Sequence, residues 1–170
     1  MHPRNSFIAA SAAFAFAALA IPAGDVAAQG AKQLVGTYTA VSLISTDASG
    51  KKAEIFGENP RGLLVLTADG RYTIVVARAK LPKFASNSRI KGTAEENQAV
   101  VAGSLGHFGR YTVDEKDKTI TFHVETATYP NWDGGSQKRP FTLKGDVLNY
   151  TVAAVSGGTG TGSVTWKRVK

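Results

Sequence analysis

His123 and Glu125 stand two residues apart in TITFHVE (119–125). Residues at i and i+2 of an extended strand share one face, so imidazole and carboxylate would lie side by side. Such a pair can move a proton near neutral pH. It also offers two metal ligands, but one strand pair is not a site, and a third ligand such as His107 would be needed. Ile120, Phe122 and Val124 form the opposite, apolar face. If those three fill the interior, His123 and Glu125 meet solvent; if the interior is polar, they meet a ligand. The sequence leaves both open.

A second concentration of chemistry is TYPNWDGGSQKRP (128–140). It separates two strand-like segments, and a hairpin tip needs only Gly, Asn or Asp. This one adds Tyr129, Asn131, Trp132 and Arg139. Trp132 and Tyr129 are amphipathic groups suited to the rim of a binding site, or to plugging a barrel end. Asn131 can cap a turn or contact a ligand, and Arg139 can hold a carboxylate with two parallel hydrogen bonds. His107, between Gly106 and Phe108, reads as a cap on the C-terminus of a helix, where the dipole favours it. Tyr72 and Tyr111 share strand faces with Ile74, Val76 and Val113. They read as core aromatics whose hydroxyls need partners, and they complete the set of candidate ligand contacts.

The elements that must position these residues are mostly strands. Period-two segments rich in Val, Ile, Thr, Tyr and Phe occur at 34–45, 53–56, 62–67, 71–78, 108–113, 119–125, 139–143, 147–153 and 163–168. Turn-forming runs separate several of them: Asp47-Ala48-Ser49-Gly50, Ala68-Asp69-Gly70, Asp114-Glu115-Lys116-Asp117 and Lys144-Gly145-Asp146. Short strands with tight turns indicate an all-β antiparallel barrel or sandwich. One helix is expected near 94–105, opened by the capping box Thr93-Ala94-Glu95-Glu96. The segment 80–92 has no periodicity. SGGTGTG (156–162) lacks the spacing of a phosphate loop and reads as a hairpin tip.

Composition narrows the setting. Arg4 precedes an uncharged apolar run over 7–21, and Val26-Ala27-Ala28 supplies small residues at signal-peptidase spacing. The sequence therefore predicts a cleaved signal peptide over 1–28 and a single domain over 29–170, periplasmic or secreted. The chain has no Cys, and its one Met is Met1, so disulfides, thiolate metal sites and a Cys nucleophile are excluded. The net charge of +7 is spread over isolated side chains and the doublets at 51–52, 138–139 and 167–168. It fits solubility, attraction to small anions or peripheral association with an anionic envelope surface, rather than nucleic-acid binding.

The stretches LVGTYTAVSL (34–43), FGENPRGLLVLTADGRY (56–72), HFGRYTVDEKDKTITFHVE (107–125), YPNWDGGSQKRPFTLKGDVLNYT (129–151) and VTWKR (164–168) together resemble bacterial lipocalin-like domain proteins. The resemblance covers almost all of 29–170. It implies a lipocalin-like antiparallel β-barrel that binds a small apolar or amphipathic molecule, without cofactor or metal. It also implies that Gly36, Tyr38 and Arg168 close one barrel end, with Tyr38 where Trp is usual in the family. The competing function is an isomerase- or cyclase-type enzyme that uses the barrel cavity with His123 and Glu125 as acid–base pair. A third is an envelope protein that works through an exposed apolar surface. Oligomeric state is not encoded in any feature of the sequence.

Overall fold

A computed structural model describes residues 32–156 and 160–170. The expected signal peptide and residues 157–159 of the 156–162 tip lie outside the described residues. Among those described, nine strands run in chain order: β1 (Gly36–Thr46), β2 (Lys52–Glu54), β3 (Arg61–Leu66), β4 (Arg71–Ala77), β5 (Ser104–Asp114), β6 (Thr119–Ala127), β7 (Ser136–Lys144), β8 (Val147–Val152) and β9 (Thr161–Arg168). One helix, α1 (Ala94–Gly103), and a single 3-10 turn, Pro130–Trp132, complete them.

From β3 to β9 each strand pairs antiparallel with the next. The long β1 pairs with β3 through Gly36–Thr39 and with β9 from Tyr38↔Arg168 to Thr46↔Thr161, which closes an eight-stranded antiparallel barrel. The three-residue β2 is an annex on the far half of β1. Full closure leaves the eight strands without a free edge over that span.

Alternation sorts the side chains. Leu64, Leu66, Tyr72, Ile74, Val76, Ile120, Phe122, Leu148, Tyr150, Val164 and Trp166 point inward and are buried, while Arg71, Thr73, Val75 and His123 point outward. The two barrel ends differ. At one, the connections β3–β4, β5–β6 and β7–β8 are tight turns. Opposite lie the β2–β3 connection, the helix-bearing β4–β5 connection, the β6–β7 loop and the β8–β9 connection.

The tight-turn end is sealed. The Arg168 guanidinium lies 4.7 Å over the Tyr38 ring and donates to the carbonyls of Val35 and, at 2.7 Å, Gln33. The Tyr38 hydroxyl donates to the Leu34 carbonyl at 2.8 Å. Gly36 has φ +149°, and a Cβ there would stand 2.6 Å from the Arg168 guanidinium. The residue that admits the arginine must therefore lack a side chain.

The helix keeps its capping box: Glu96 N donates to Thr93 Oγ1, and Thr93 N to Glu96 Oε2. It stops at Gly103, earlier than the expected 105, because β5 begins at once. Ser104 pairs with Ala77 of β4, and its hydroxyl donates to the Val100 carbonyl at 2.7 Å. Strand β7 likewise starts at Ser136 rather than 139, since Ser136, Gln137 and Lys138 pair with His123, Phe122 and Thr121. The expected 128–140 connection is thus shorter, and Arg139 belongs to the barrel wall.

Replacing Arg168 by Met removes the stacked cation and two carbonyl contacts while keeping the apolar stem. We expect a loss of about 2–3 kcal/mol in urea unfolding. An unchanged midpoint would show that the seal contributes nothing to stability.

Candidate functional site

The open half of the barrel holds a cavity of about 70 Å³. Its walls are Leu43, Ile74, Val76, Val164 and Trp166 below, and Ile55, Phe56, Leu105, Trp132 and Val152 toward the mouth. Only His107, Arg139, Tyr150 and Ser156 bring side-chain polar atoms besides the two indoles. Two clefts adjoin it. One of about 530 Å³ shares Trp132, Arg139 and Val152 and adds Asn131, Gln137 and Lys138. The other, about 430 Å³, shares Ile55, Phe56, Leu105 and Ser156 and adds Tyr129 and Val101.

Trp132 forms the partition between cavity and rim. It sits on the 3-10 turn, half-buried, with its ring 5.3 Å from His107 and 5.7 Å from Tyr129, both edge to face. The turn is fixed from several sides. Trp132 N donates to Tyr129 O and Asp133 N to Pro130 O, while Ala127 N donates to Asp133 Oδ1 at 2.7 Å. Gly134, with φ +72°, donates to Val124 O, and Thr128 N donates to Gly106 O. A loop tied this way presents its aromatic in one place. Tyr129 and Asn131 are exposed on either side of it.

His107 is not the helix cap that its position predicts. The helix ends at Gly103, and β5 alternation turns the ring into the barrel, where it is 4 % exposed. Its Nδ1 lies 2.9 Å from the Tyr72 hydroxyl, and the two rings meet edge to face at 5.4 Å. Burial, helped by the Arg139 charge, holds its pKa down to about 3, so the ring is neutral at physiological pH. Burial also pushes the Tyr72 and Tyr150 hydroxyls above their usual range, which keeps both protonated.

Arg139 is buried, 5 % exposed, with its guanidinium 5.4 Å from the Phe122 ring and 5.0 Å from the Tyr150 ring. One terminal nitrogen donates to the Gln137 side chain. Its Nε has no hydrogen-bond partner, and neither has the indole N–H of Trp166.

The remaining candidates fall elsewhere. His123 and Glu125 lie on the outer surface, because Ile120, Phe122 and Val124 fill the inside. His123 bridges Thr112 and Ser136 hydroxyls at 3.2 and 2.9 Å. Glu125 occupies a bulge opposite Phe108 and Gly109 and pairs with Arg71 at 3.3 Å. The acid–base pair of the enzymatic alternative is therefore outside the cavity it was to serve, and His107 and His123, on opposite faces of the wall, cannot share a metal. Tyr111 points inward, but at the sealed half, donating to the Thr67 carbonyl at 2.9 Å. Burial pushes its pKa up to about 12. Tyr72 is not part of the cavity wall; its hydroxyl meets His107, which is. Strand alternation could have flagged Tyr150, Val164 and Trp166 as wall residues. Phe56 belonged to the segment 53–56 expected as a strand, but β2 ends at Glu54, and Phe56 reaches the cavity from the connection that follows.

A family model described as a lipocalin-like domain matches residues 35–169. A curated relative from Aspergillus oryzae, the 4'-hydroxy-3'-methoxypropiophenone carrier protein ppsC, is 29 % identical over 103 residues, spanning 55 % of this chain and 93 % of the relative.

The depressed His107 pKa predicts a pH dependence. Above pH 6.5 folded and unfolded chains both carry a neutral ring. As pH falls from 6.5 toward 3 the unfolded chain binds a proton that the folded one refuses, so stability falls, by at most about 1.4 kcal/mol per pH unit. His107→Gln should flatten the unfolding free energy over that window. A profile identical to wild type would remove His107 as the cause.

Proposed function

The chain belongs to the lipocalin-like domain family, and we propose that it carries a small amphipathic, ring-bearing molecule in the open half of its barrel. The observation that carries this reading is the cavity. Its walls are mainly apolar, both tryptophans of the chain line it, and it shares wall residues with two clefts at one barrel end. A binding site needs an apolar body and a few placed polar groups, and this one has both. The inner space takes the buried end of a ligand; the clefts beside Trp132 take the rest. The Aspergillus relative is named for carriage of a substituted phenyl ketone, which supports an aromatic cargo here. Trp132 and Arg139 are the contacts on which the reading relies most, with Tyr129 and Asn131 at the rim.

The enzymatic alternative loses its support with His123 and Glu125 on the outer surface. The interior imidazole, His107, is a weak base when its pKa is held near 3.

We propose also that the working protein lies outside the cytoplasm, periplasmic or secreted. It is supported by the uncharged run over 7–21 and the small residues Val26-Ala27-Ala28. Protein recovered from its own host should begin at Gln29 by intact mass. A chain that retains residues 1–28 would defeat this part of the proposal.

Cargo binding is tested by calorimetric titration with benzylacetone, a neutral phenyl ketone. We expect binding, weakened about tenfold by Trp132→Ala and unaltered by His123→Ala. Equal affinity in wild type and Trp132→Ala would remove the tryptophan from the site. A large loss in His123→Ala would reopen the outer face.

A further inference from the structure

We propose that the cargo is an acid: a small amphipathic molecule whose anionic oxygen group docks on Arg139 inside the barrel mouth. This rests on the carrier reading above and narrows it to a chemical class.

Arg139 carries a permanent charge and is nineteen-twentieths buried. A buried cation ordinarily sits against a carboxylate, because taking it out of water unpaired costs several kcal/mol. Among the described residues, Arg139 makes no ion pair. The cavity and the cleft that share it are lined by no Asp or Glu. The neighbours inside cannot supply a negative charge either. His107 is neutral, and the Tyr72 and Tyr150 hydroxyls keep their protons. The Phe122 and Tyr150 rings offset part of the cost through their faces, and Gln137 accepts one hydrogen bond. Neither brings a counter-charge.

The donors point the same way. Arg139 Nε is buried and unbonded, against a strong rule that such groups find an acceptor. A second unbonded donor, the Trp166 indole N–H, lies on the same cavity beside the Tyr150 hydroxyl, without closing a normal hydrogen bond to it. Both donors thus adjoin one residue, Tyr150. Water can accept a hydrogen bond, but it cannot balance a charge. A carboxylate does both, and its planar pair of oxygens matches the guanidinium edge. Arg139 also lines the outer cleft. An acid group held there leaves its apolar body facing Leu43, Val76 and Val164 on one side or Trp132 on the other.

The test uses two ligands of nearly equal shape. Hydrocinnamate and benzylacetone share a phenylethyl body; one ends in a carboxylate, the other in an acetyl group. Affinities are read by calorimetry at low salt, with tryptophan emission as a second signal, since Trp132 and Trp166 both line the cavity. We expect wild type to prefer hydrocinnamate by about tenfold or more. Arg139→Met, which keeps the apolar stem, should lose that preference, with its affinity for hydrocinnamate falling about tenfold or more. Its melting temperature should not fall, since an unpaired buried charge has been removed. Trp166→Phe keeps an aromatic wall and deletes the N–H; it should lower the preference without abolishing it, and it serves if Arg139→Met does not fold. Equal wild-type affinity for the two ligands overturns the inference and leaves the carrier reading standing. A preference that survives in Arg139→Met also overturns it. Failure of both ligands to bind wild type defeats the carrier reading itself, and this inference with it.

Discussion

The pairing of β1 with β9 is the contact on which the rest depends. Eight other strand pairings join near neighbours along the chain, whereas this one joins Tyr38 to Arg168 and Thr46 to Thr161. It converts a sheet with two edges into a barrel with an inside. The pairing has a bulge between Ala40 and Ser42, which leaves Val41 facing out and adds local bend to one of the two longest strands. Close approach of chains helps elsewhere too. A Cβ at Gly109 would stand 2.0 Å from the His123 carbonyl, where β5 passes the β6 bulge. Closure therefore relies on a few positions without side chains as much as on apolar burial.

Once the barrel is closed, its contents divide into two halves with different work. The sealed half is packed by Leu34, Tyr38, Leu64, Leu66, Tyr111 and Ile120, and the polar atoms of its two tyrosines are bound to backbone carbonyls. The open half mixes apolar walls with His107, Arg139, Tyr150 and Trp166, and two of its donors lack partners. A core built only for stability would not retain a lone guanidinium there. The difference between a satisfied half and an unsatisfied one separates scaffold from site more clearly than cavity size does.

Much of the scaffold was legible in the residues. Strands such as RYTIVVA and TITFHVE alternate cleanly, and turn residues mark their ends. The capping box set the start of the helix to the residue. The sealing contact of Arg168 on Tyr38 came from family resemblance, since nothing local relates residues 130 positions apart. The site was less legible, for physical reasons. TITFHVE has one polar and one apolar face, and only the closed barrel decides which is inside. The inner face of β7 carries Gln137 and Arg139 before Phe141, so its first residues lack the apolar alternation that marks a strand. At the junction of α1 and β5 no turn residues intervene, and a strand histidine read as a helix cap.

The topology also sets an order in time. From β3 through β9 every hairpin can form as soon as its second strand exists, because its partner is the strand just made. β1 has a different dependence. One of its edges can pair early, with β2 and β3, but the other waits for β9, the last strand in the chain. Until β9 is in place that edge, and the apolar face behind it, have no native cover. Such an interval favours non-native pairing between chains. The final eight residues of the barrel thus decide when the first eleven become safe.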